Sequence, residues 1–334
     1  MKAVQVPGSG KEFEVVQRDV PSPAPNEVLI DVQASGICHS DEFVKDGQWP
    51  GLEYPRVPGH EIAGEVEETG QLVESFQVGD PVGVGWHGGH CTRCEACRHG
   101  DFINCSNARV TGISYDGGYA EYVTVPEEAV AHRPEELPAR EAAPLMCAGN
   151  TTYQALRESR SEGGDLAAIQ GIGGLGHLAI QYADAFGYDV AALSGSPDKE
   201  SEAFELGAER FINVNNADPG DALKSMGGAD VILTTAPSGE AVSSLIPGLA
   251  REGELLVAGV DDSPVEFSVL SLIQGRKTIQ GWTCGSSIHS EQTLQFSLLQ
   301  DIRPKIEVFD LAEAGKAYRK MINGNIRYRA VLVP

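Results

Sequence analysis

Basic residues are scarce in this chain. Nine lysines and sixteen arginines stand against 48 acidic residues, for a formal charge of -23. A nucleic-acid partner needs a basic footprint that neutralises phosphates, so that class of function is excluded. Long apolar runs are missing too. No stretch reaches the roughly 18 residues of a membrane-spanning helix, so no membrane partner is expected. The opening MKAVQVPGSG has no apolar run after its lysine, so no secretory signal is expected. Internal repeats and low-complexity segments are absent. Seven cysteines in a chain expected to be cytoplasmic read as ligands rather than bridges.

What is present is length and metal chemistry. The 334 residues, 41% of them hydrophobic, allow two domains with substantial cores. The densest feature is CTRCEACRHGDFINC, which carries Cys91, Cys94, Cys97 and Cys105 with gaps of two, two and seven residues. A structural zinc wants four soft ligands at tetrahedral corners, and a C-x-x-C pair lets neighbouring thiolates reach one ion. Disulfides and an iron–sulfur cluster are the competing readings. Such a lobe carries no chemistry by itself, so the activity lies elsewhere in the chain.

The rhythm of the chain changes near residue 140. Before it, short alternating runs such as EFEVVQRDV, EVLIDVQASG and EIAGEVEETG are broken by Gly and Pro, which predicts a distorted antiparallel barrel. After it, apolar strands alternate with helical stretches, the pattern of a doubly wound parallel sheet. Helices are expected at SEQTLQFSLLQ and LAEAGKAYRKMI, and a last strand at RYRAVLV.

Gly171, Gly173 and Gly176 form a G-x-G-x-x-G between a predicted strand, Asp165–Gln170, and a predicted helix that Gly187 would cap. That context is the dinucleotide fingerprint. Its glycines allow the turn, the approach of a diphosphate and close helix–strand packing, and the diphosphate sits on the helix N-terminus. Gly174 and Leu175 complete the cofactor-facing turn. At the end of the next strand an NAD site usually carries an acidic residue for the ribose 2′-hydroxyl. Here Ser194, Gly195 and Ser196 occupy that place, with Lys199 following. The loop therefore leans toward NADP, with NAD still open.

Three lone residues offer a second metal site: Cys38 in GICHSDE, His60 in VPGHE and Cys147 in APLMCAG. Two thiolates and an imidazole suit a catalytic zinc that keeps one position open. Spacing cannot join ligands so far apart, and composition alone favours reading Cys147 as a buried small hydrophobe.

Taken together, GICHSD, VPGHE, the four-cysteine lobe, GGYAEY, APLMCAGNTTY and GIGGLGHLAIQYA occur in the order seen in zinc-dependent medium-chain alcohol dehydrogenases. The chain resembles that family over nearly its whole length. The resemblance implies an α/β plus mostly-β protein. A GroES-like catalytic domain would span 1–146, with the zinc lobe at 91–105. A Rossmann cofactor domain would span 147–284, and a C-terminal segment, 285–334, would return to the first, with substrate bound between the two. It implies two zinc ions per chain, a nicotinamide cofactor, a small alcohol, aldehyde or ketone as substrate, and a homodimer or homotetramer.

Carried over residue by residue, Cys38, His60 and Cys147 match the catalytic zinc ligands, and Glu61 the acid beside the metal. Asp41 matches the carboxylate that orients the histidine. Ser40 matches the hydroxyl that takes the alcohol's proton, and His39 a position near the cofactor diphosphate. Trp86 matches an aromatic wall of the substrate pocket, with Phe43 and Trp49 near it, and Arg329 resembles a basic residue that reaches the diphosphate. The chain departs from some relatives where a relay histidine would stand three residues after Ser40, because Phe43 is there. His87 and His90, in WHGGHC, are expected on the solvent side, and Cys284 is expected to pack. A sugar or polyol dehydrogenase and a non-catalytic zinc- and nucleotide-binding redox sensor are the rival readings. The aromatic residues argue against the first, and Ser40 and Asp41 beside a full ligand set argue against the second.

The acidic, lysine-poor composition suits a salt-rich cytoplasm, with an ordinary acidic cytosolic protein as the alternative. Surface carboxylates repel one another, and salt screens that repulsion to a Debye length of about 3 Å at 1 M. The halophile reading predicts a melting temperature that climbs between about 0.1 and about 2 M salt; a flat profile in a thermal scan would reject it.

Overall fold

In the computed structural model, which describes residues 1–259 and 262–334, strands form where apolar residues alternate longest. Glu27–Ile37 (β1) turns Val28, Leu29, Ile30 and Val32 inward and leaves Gln33 exposed. It is followed by Ile62–Thr69 (β2), Pro81–Val84 (β3), Tyr122–Pro126 (β4) and Val130–His132 (β5). The second half contributes Leu166–Gln170 (β6), Asp189–Ser194 (β7), Arg210–Asn213 (β8), Ala229–Thr234 (β9), Leu249–Val257 (β10) and Thr278–Gly281 (β11). Ile306–Asp310 (β12) and Arg329–Val333 (β13) close the chain.

The chain divides into two units, residues 1–150 with 284–334, and residues 151–283. In the first, β1 is the hub of a seven-stranded sheet, antiparallel to β2, β4 and β13. Register shifts at Leu29/Ile30 and Val32/Ala34 bend it, as bulges do. Val28, Ile30, Ile62, Val66, Val82, Val123 and Val125 fill its core. This is the mostly antiparallel, glycine-broken unit expected from the sequence. The boundary itself differs from expectation. It falls after Asn150 and before Cys284, which puts Cys147 in the same unit as Cys38 and His60. The cause is a π-helical turn, Leu145–Gly149, that packs Met146 against Gly83 and Gly85 of the β3 end.

The second unit is a parallel sheet of order β8-β7-β6-β9-β10-β11. Its strands run third, second, first, fourth, fifth and sixth in chain order, the arrangement of a dinucleotide-binding domain with the switch point beside its first strand. Being covered on both faces, β6 and β7 are almost wholly buried, which explains their continuous apolar runs. Asp165 lies just outside β6, and Val260, the end of the GELLVAGV run, lies outside the described residues. The helix after β6 is Gly176–Ala185, buried along Leu178, Ala179 and Tyr182. Gly187 ends it at φ +80°, its N–H donating to the Asp184 carbonyl at 2.8 Å. The two expected C-terminal helices are Ser287–Leu299 and Ala314–Ile322. Among the described residues no helix is long and apolar enough to cross a membrane.

Candidate active site and metal centres

β1 ends at Ile37 and delivers Cys38 into a single 3-10 turn, His39–Asp41. That turn folds Asp41 back, so the Cys38 N–H donates to its Oδ2 at 2.9 Å. The same carboxylate takes the Tyr119 hydroxyl at 2.7 Å and stands 3.3 Å from His60 Nδ1. Asp41 and His60 are each 2% exposed, so the pair works without competing water. With Nδ1 committed to Asp41, His60 presents Nε2, and that nitrogen is buried with no hydrogen-bond partner among the described residues.

Cys147 arrives from the π-helical turn, its sulfur 3.9 Å from that of Cys38. A disulfide would bring the sulfurs to about 2.05 Å. Two thiolates at tetrahedral corners of a zinc ion stand about 3.8 Å apart, from Zn–S bonds of about 2.3 Å. Cys38, His60, Glu61 and Cys147 offer ligand atoms that all lie within 4.8 Å of one another. Glu61 Oε2 is a second buried atom with no partner, while its Oε1 is paired with Arg329. The residues fit a metal ion: two sulfurs, one free imidazole nitrogen and one free carboxylate oxygen converge in a buried space.

The electrostatics agree with that fit. The Cys147 thiol beside it, and then His60, hold Cys38 well below the ordinary thiol range, whereas sharing that hydrogen with Cys38 pushes Cys147 up. Burial pulls His60 down, but the charges of Cys38 and Asp41 outweigh it, so the net shift is well upward. A site that favours a positive charge on this ring favours a cation at Nε2 in the same way. Burial raises Glu61 to about 7, against the pull of Arg329.

Several supports escaped the sequence reading. Tyr119 lies in GGYAEY, which marked only a motif, and Gly59 (φ +101°) precedes His60 because a Cβ there would stand 2.4 Å from the Tyr119 ring. Gly36 leaves room for Glu61, whose Oε2 would lie 1.9 Å from an added Cβ. Asn150 ties the ligand-bearing turn to the C-terminal segment through the Gly285 N–H and carbonyl and the Ser290 hydroxyl. Nothing in local pattern marks such contacts, which join residues tens of positions apart and, for Asn150, more than a hundred. Arg329, expected at a diphosphate, is 4% exposed and donates to Glu61 and to the Ile37 carbonyl.

Ser40 is half-buried beside the ligands, and His39 is exposed, its Nε2 3.2 Å from Glu42. The three aromatic residues do gather. Trp86 sets its edge on His60 at 4.9 Å, and Trp49 and Phe43 follow at 5.7 and 6.4 Å from Trp86. His87 corrects the sequence reading. It is buried, 4% exposed, because the Trp86–Gly89 loop is tied inward to residues 109–111.

The four-cysteine lobe closes on itself. Cys91, Cys94, Cys97 and Cys105 present sulfurs within 4.8 Å of one another. All seven cysteines are unbridged, which removes the disulfide reading. Thr92 takes φ +58°, a left-handed turn that aims backbone N–H groups at sulfur. The Arg93 and Cys94 amides lower Cys91 to about 6, and the Cys97 amide lowers Cys94. A tetrahedral thiolate site for zinc fits these donors.

In the second unit, Gly171 turns at φ +90°. A Cβ on Gly176 would stand 1.7 Å from the Gly171 carbonyl oxygen, so helix and strand could not meet. Around Gly173 there is open space, as a loop that receives a ligand requires. Gly174 and Leu175 continue that turn into the helix. Lys199 reaches back to the Ile172 carbonyl at 2.6 Å, which brings its charge to the glycine turn. Ser194 accepts from the Ser196 N–H at 3.1 Å. Asn215, unmarked by any sequence signal, donates to the Gly195 carbonyl at 2.6 Å. Beside these strand ends lies a cavity of about 540 Å³ lined by Gln170, Asn215, Asp218, Ser238 and Glu240.

Comparison with known proteins agrees with this geometry. Residues 24–135 match the alcohol dehydrogenase GroES-like domain, and residues 174–299 the zinc-binding dehydrogenase domain. The chain is 42% identical to alcohol dehydrogenase patD of Penicillium expansum over 97% of its own length and 94% of the relative's. It is 39% identical to the probable formaldehyde dehydrogenase AdhA of Bacillus subtilis, covering 92% and 90%. Among solved structures, a cinnamyl alcohol dehydrogenase from Sorghum bicolor superposes with a TM-score of 0.90 at 31% identity, over 99% of this chain and 97% of that one. The cinnamyl enzyme of Helicobacter pylori, solved with NADP(H), gives 0.89 at 28%, again over 99% and 97%. Two domain matches in the right order and full-length relatives on both comparisons leave one conclusion: the chain belongs to the zinc-dependent medium-chain alcohol dehydrogenase family.

Proposed function

We propose that this alcohol dehydrogenase interconverts a primary or secondary alcohol and its aldehyde or ketone, with Cys38, His60 and Cys147 holding a catalytic zinc and the four-cysteine lobe a structural one. The observation that carries the reading is His60 Nε2, buried and unpartnered between two sulfurs while Asp41 occupies Nδ1. When bound, zinc supplies Lewis acidity at the alcohol oxygen and the nicotinamide accepts the hydride. The protein's own part is placement and proton handling. Asp41 orients His60 and makes it a better donor. Ser40 Oγ, half-buried, would accept the proton of the alcohol while passing its own hydroxyl proton out to solvent. Glu61, held by Arg329, keeps one oxygen available beside the ligands. Trp86, Phe43 and Trp49 form an apolar wall for the substrate's carbon frame, which favours this reading over a polyol. The cytoplasm is the proposed location, on the reducing conditions that free thiols require.

We also propose a homodimer or homotetramer. Val265, Phe267, Val269, Leu270 and Ile273 are 37–66% exposed within nine residues, just ahead in sequence of β11, which among the described residues is the edge strand of its sheet. Such a patch and edge are the features that self-association covers. Ile273→Asp is expected to lower the oligomer mass in sedimentation; a wild type that sediments as a monomer would reject the assembly.

The two metals should separate under mutation. Cys147→Ala is expected to abolish turnover and release one zinc while the protein stays folded. Cys97→Ser should instead lower the melting temperature, since a structural zinc contributes folding energy. Full metal content and near-normal turnover in Cys147→Ala would contradict the ligand assignment.

For the cofactor, Ser194, Ser196 and Lys199 support a preference for NADP of about tenfold, which corresponds to about 1.4 kcal/mol. Charge-assisted contacts of this kind weaken with salt, so the preference should shrink as salt rises. Ser194→Asp should reverse it, by repelling a 2′-phosphate and holding a free hydroxyl, and Gly195→Arg should strengthen it. The test is kcat/KM with each cofactor at one salt concentration. An unchanged ratio in Ser194→Asp would show that the phosphate is read elsewhere.

A further inference from the structure

Asn150 closes the turn that carries Cys147. It directly follows the π-helical stretch Leu145–Gly149, three residues after the ligand. It is 1% exposed, and its carboxamide reads one distant residue twice. Nδ2 donates to the Gly285 carbonyl at 3.2 Å, and Oδ1 accepts the Gly285 N–H at 3.1 Å. Nδ2 also donates to the Ser290 hydroxyl at 2.8 Å. All three bonds lie inside the first unit, because the chain leaves that unit after Asn150 and returns to it at Cys284. Ser290 is buried too, so the bonds form away from water.

The segment that receives the carboxamide is itself fixed. Gly285 precedes Ser286, the N-cap of the helix Ser287–Leu299, and the Ser286 N–H donates to His289 Nδ1 at 3.0 Å. That helix packs on the π-helical turn. A Cβ on Gly285 would stand 2.5 Å from Asn150 Oδ1 and 2.5 Å from His289 Cβ, so glycine is what lets the carboxamide close on the backbone. Cys284, one residue earlier, lies within electrostatic reach of Cys38 and Cys147, so this segment borders the ligands.

On its other side the turn is held by close packing. A Cβ on Gly85 would stand 2.5 Å from the Met146 carbonyl oxygen, and one on Gly83 would stand 2.6 Å from Met146 Sδ. Cys147 sits between the two holds. Packing limits approach, whereas hydrogen bonds also set direction. A ligand carried on backbone that departs from α-helical pitch needs a directional hold, since metal sites lose affinity when the groups that orient their ligands are removed.

We propose that Asn150 is a positioning residue for the Cys147 ligand: by clamping the π-helical turn to Gly285 and Ser290 it holds the Cys147 sulfur at the metal, and without it the ion is released faster. This rests on the reading of Cys38, His60 and Cys147 as the catalytic metal site. Asn150 touches neither substrate nor the reacting atoms in this role. It acts through the backbone that carries the ligand.

Zinc release from the holoenzyme into an excess of a chromogenic chelator provides the test. Cys147→Ala assigns the phases, since the zinc it retains defines the rate of the four-cysteine lobe. Asn150→Ala and Gly285→Ala approach the clamp from its two sides. Each is expected to release the other zinc about tenfold faster than the wild type, with the lobe zinc unchanged. Val125→Ala is the comparison for general destabilisation: Val125 pairs with Val28, at the end of β1 far from Cys38. It should lower the melting temperature without separating the two phases. Cobalt exchanged into the Cys38 site should show shifted d–d bands in Asn150→Ala. A folded Asn150→Ala with wild-type release, with unshifted bands, or with both zinc ions lost in parallel as in Val125→Ala overturns the proposal. If neither clamp variant folds, Ser290→Ala, which keeps the Gly285 bonds, must still speed release of the same zinc by about threefold, and a wild-type rate there overturns it equally. A Cys147→Ala protein that holds as much zinc as its parent rejects the metal-site reading itself, before any Asn150 variant is compared.

Discussion

The first unit is arranged around a concentration of acidic groups, buried except for Cys147, which is half-buried. Cys38, Cys147, Asp41 and Glu61 meet in one space, and Arg329 is the guanidinium that the described residues place among them. Burying charge without compensation costs several kcal/mol per ion. Hydrogen bonds soften that cost for Asp41, through Cys38 N–H and Tyr119, and an ion pair does so for Glu61. What remains is a pair of thiols sharing a proton and a histidine strongly inclined to carry one. A divalent cation satisfies both at once, which is why the site makes sense as a metal centre and poorly as a packed core.

That concentration constrains the surrounding chain. Gly36 must lack a side chain to leave room for Glu61, and Gly59 to leave room for Tyr119. The π-helical turn at Leu145–Gly149 departs from α-helical pitch where Cys147 has to face Cys38. Such bulges recur at functional sites because they re-aim one side chain at the expense of a regular ladder. The unit thus adds an irregular turn at the ligands to the two register shifts that already bend β1 against β2.

The second unit solves a different problem with simpler means. A neutral glycine turn, a helix N-terminus and strand ends opening beside a cavity suffice to receive an anionic dinucleotide. Its requirements are local, so they were visible beforehand. Gly171, Gly173 and Gly176 lie within six residues, and the packing of Gly176 on the Gly171 carbonyl is a matter of backbone distance alone. The bracing of that loop by Lys199 and Asn215 is less local. Lys199 could be suspected from its position, but Asn215 comes from the far end of the next strand, with no spacing rule to announce it.

The sequence by itself determined whatever depends on short-range geometry. The four thiols of the lobe had to meet, because fifteen residues with two C-x-x-C steps cannot hold them far apart. The alternation of apolar strands with helices determined the parallel sheet, since buried strands must be apolar throughout. Tertiary structure decided the rest. Cys147 moved into the first unit, Arg329 became the partner of Glu61, and His87, in a loop that composition marks as exposed, was drawn inside. Each of these depends on which distant segments pack together, and a hydrogen bond between residues tens or hundreds of positions apart leaves no periodic trace in the chain that makes it.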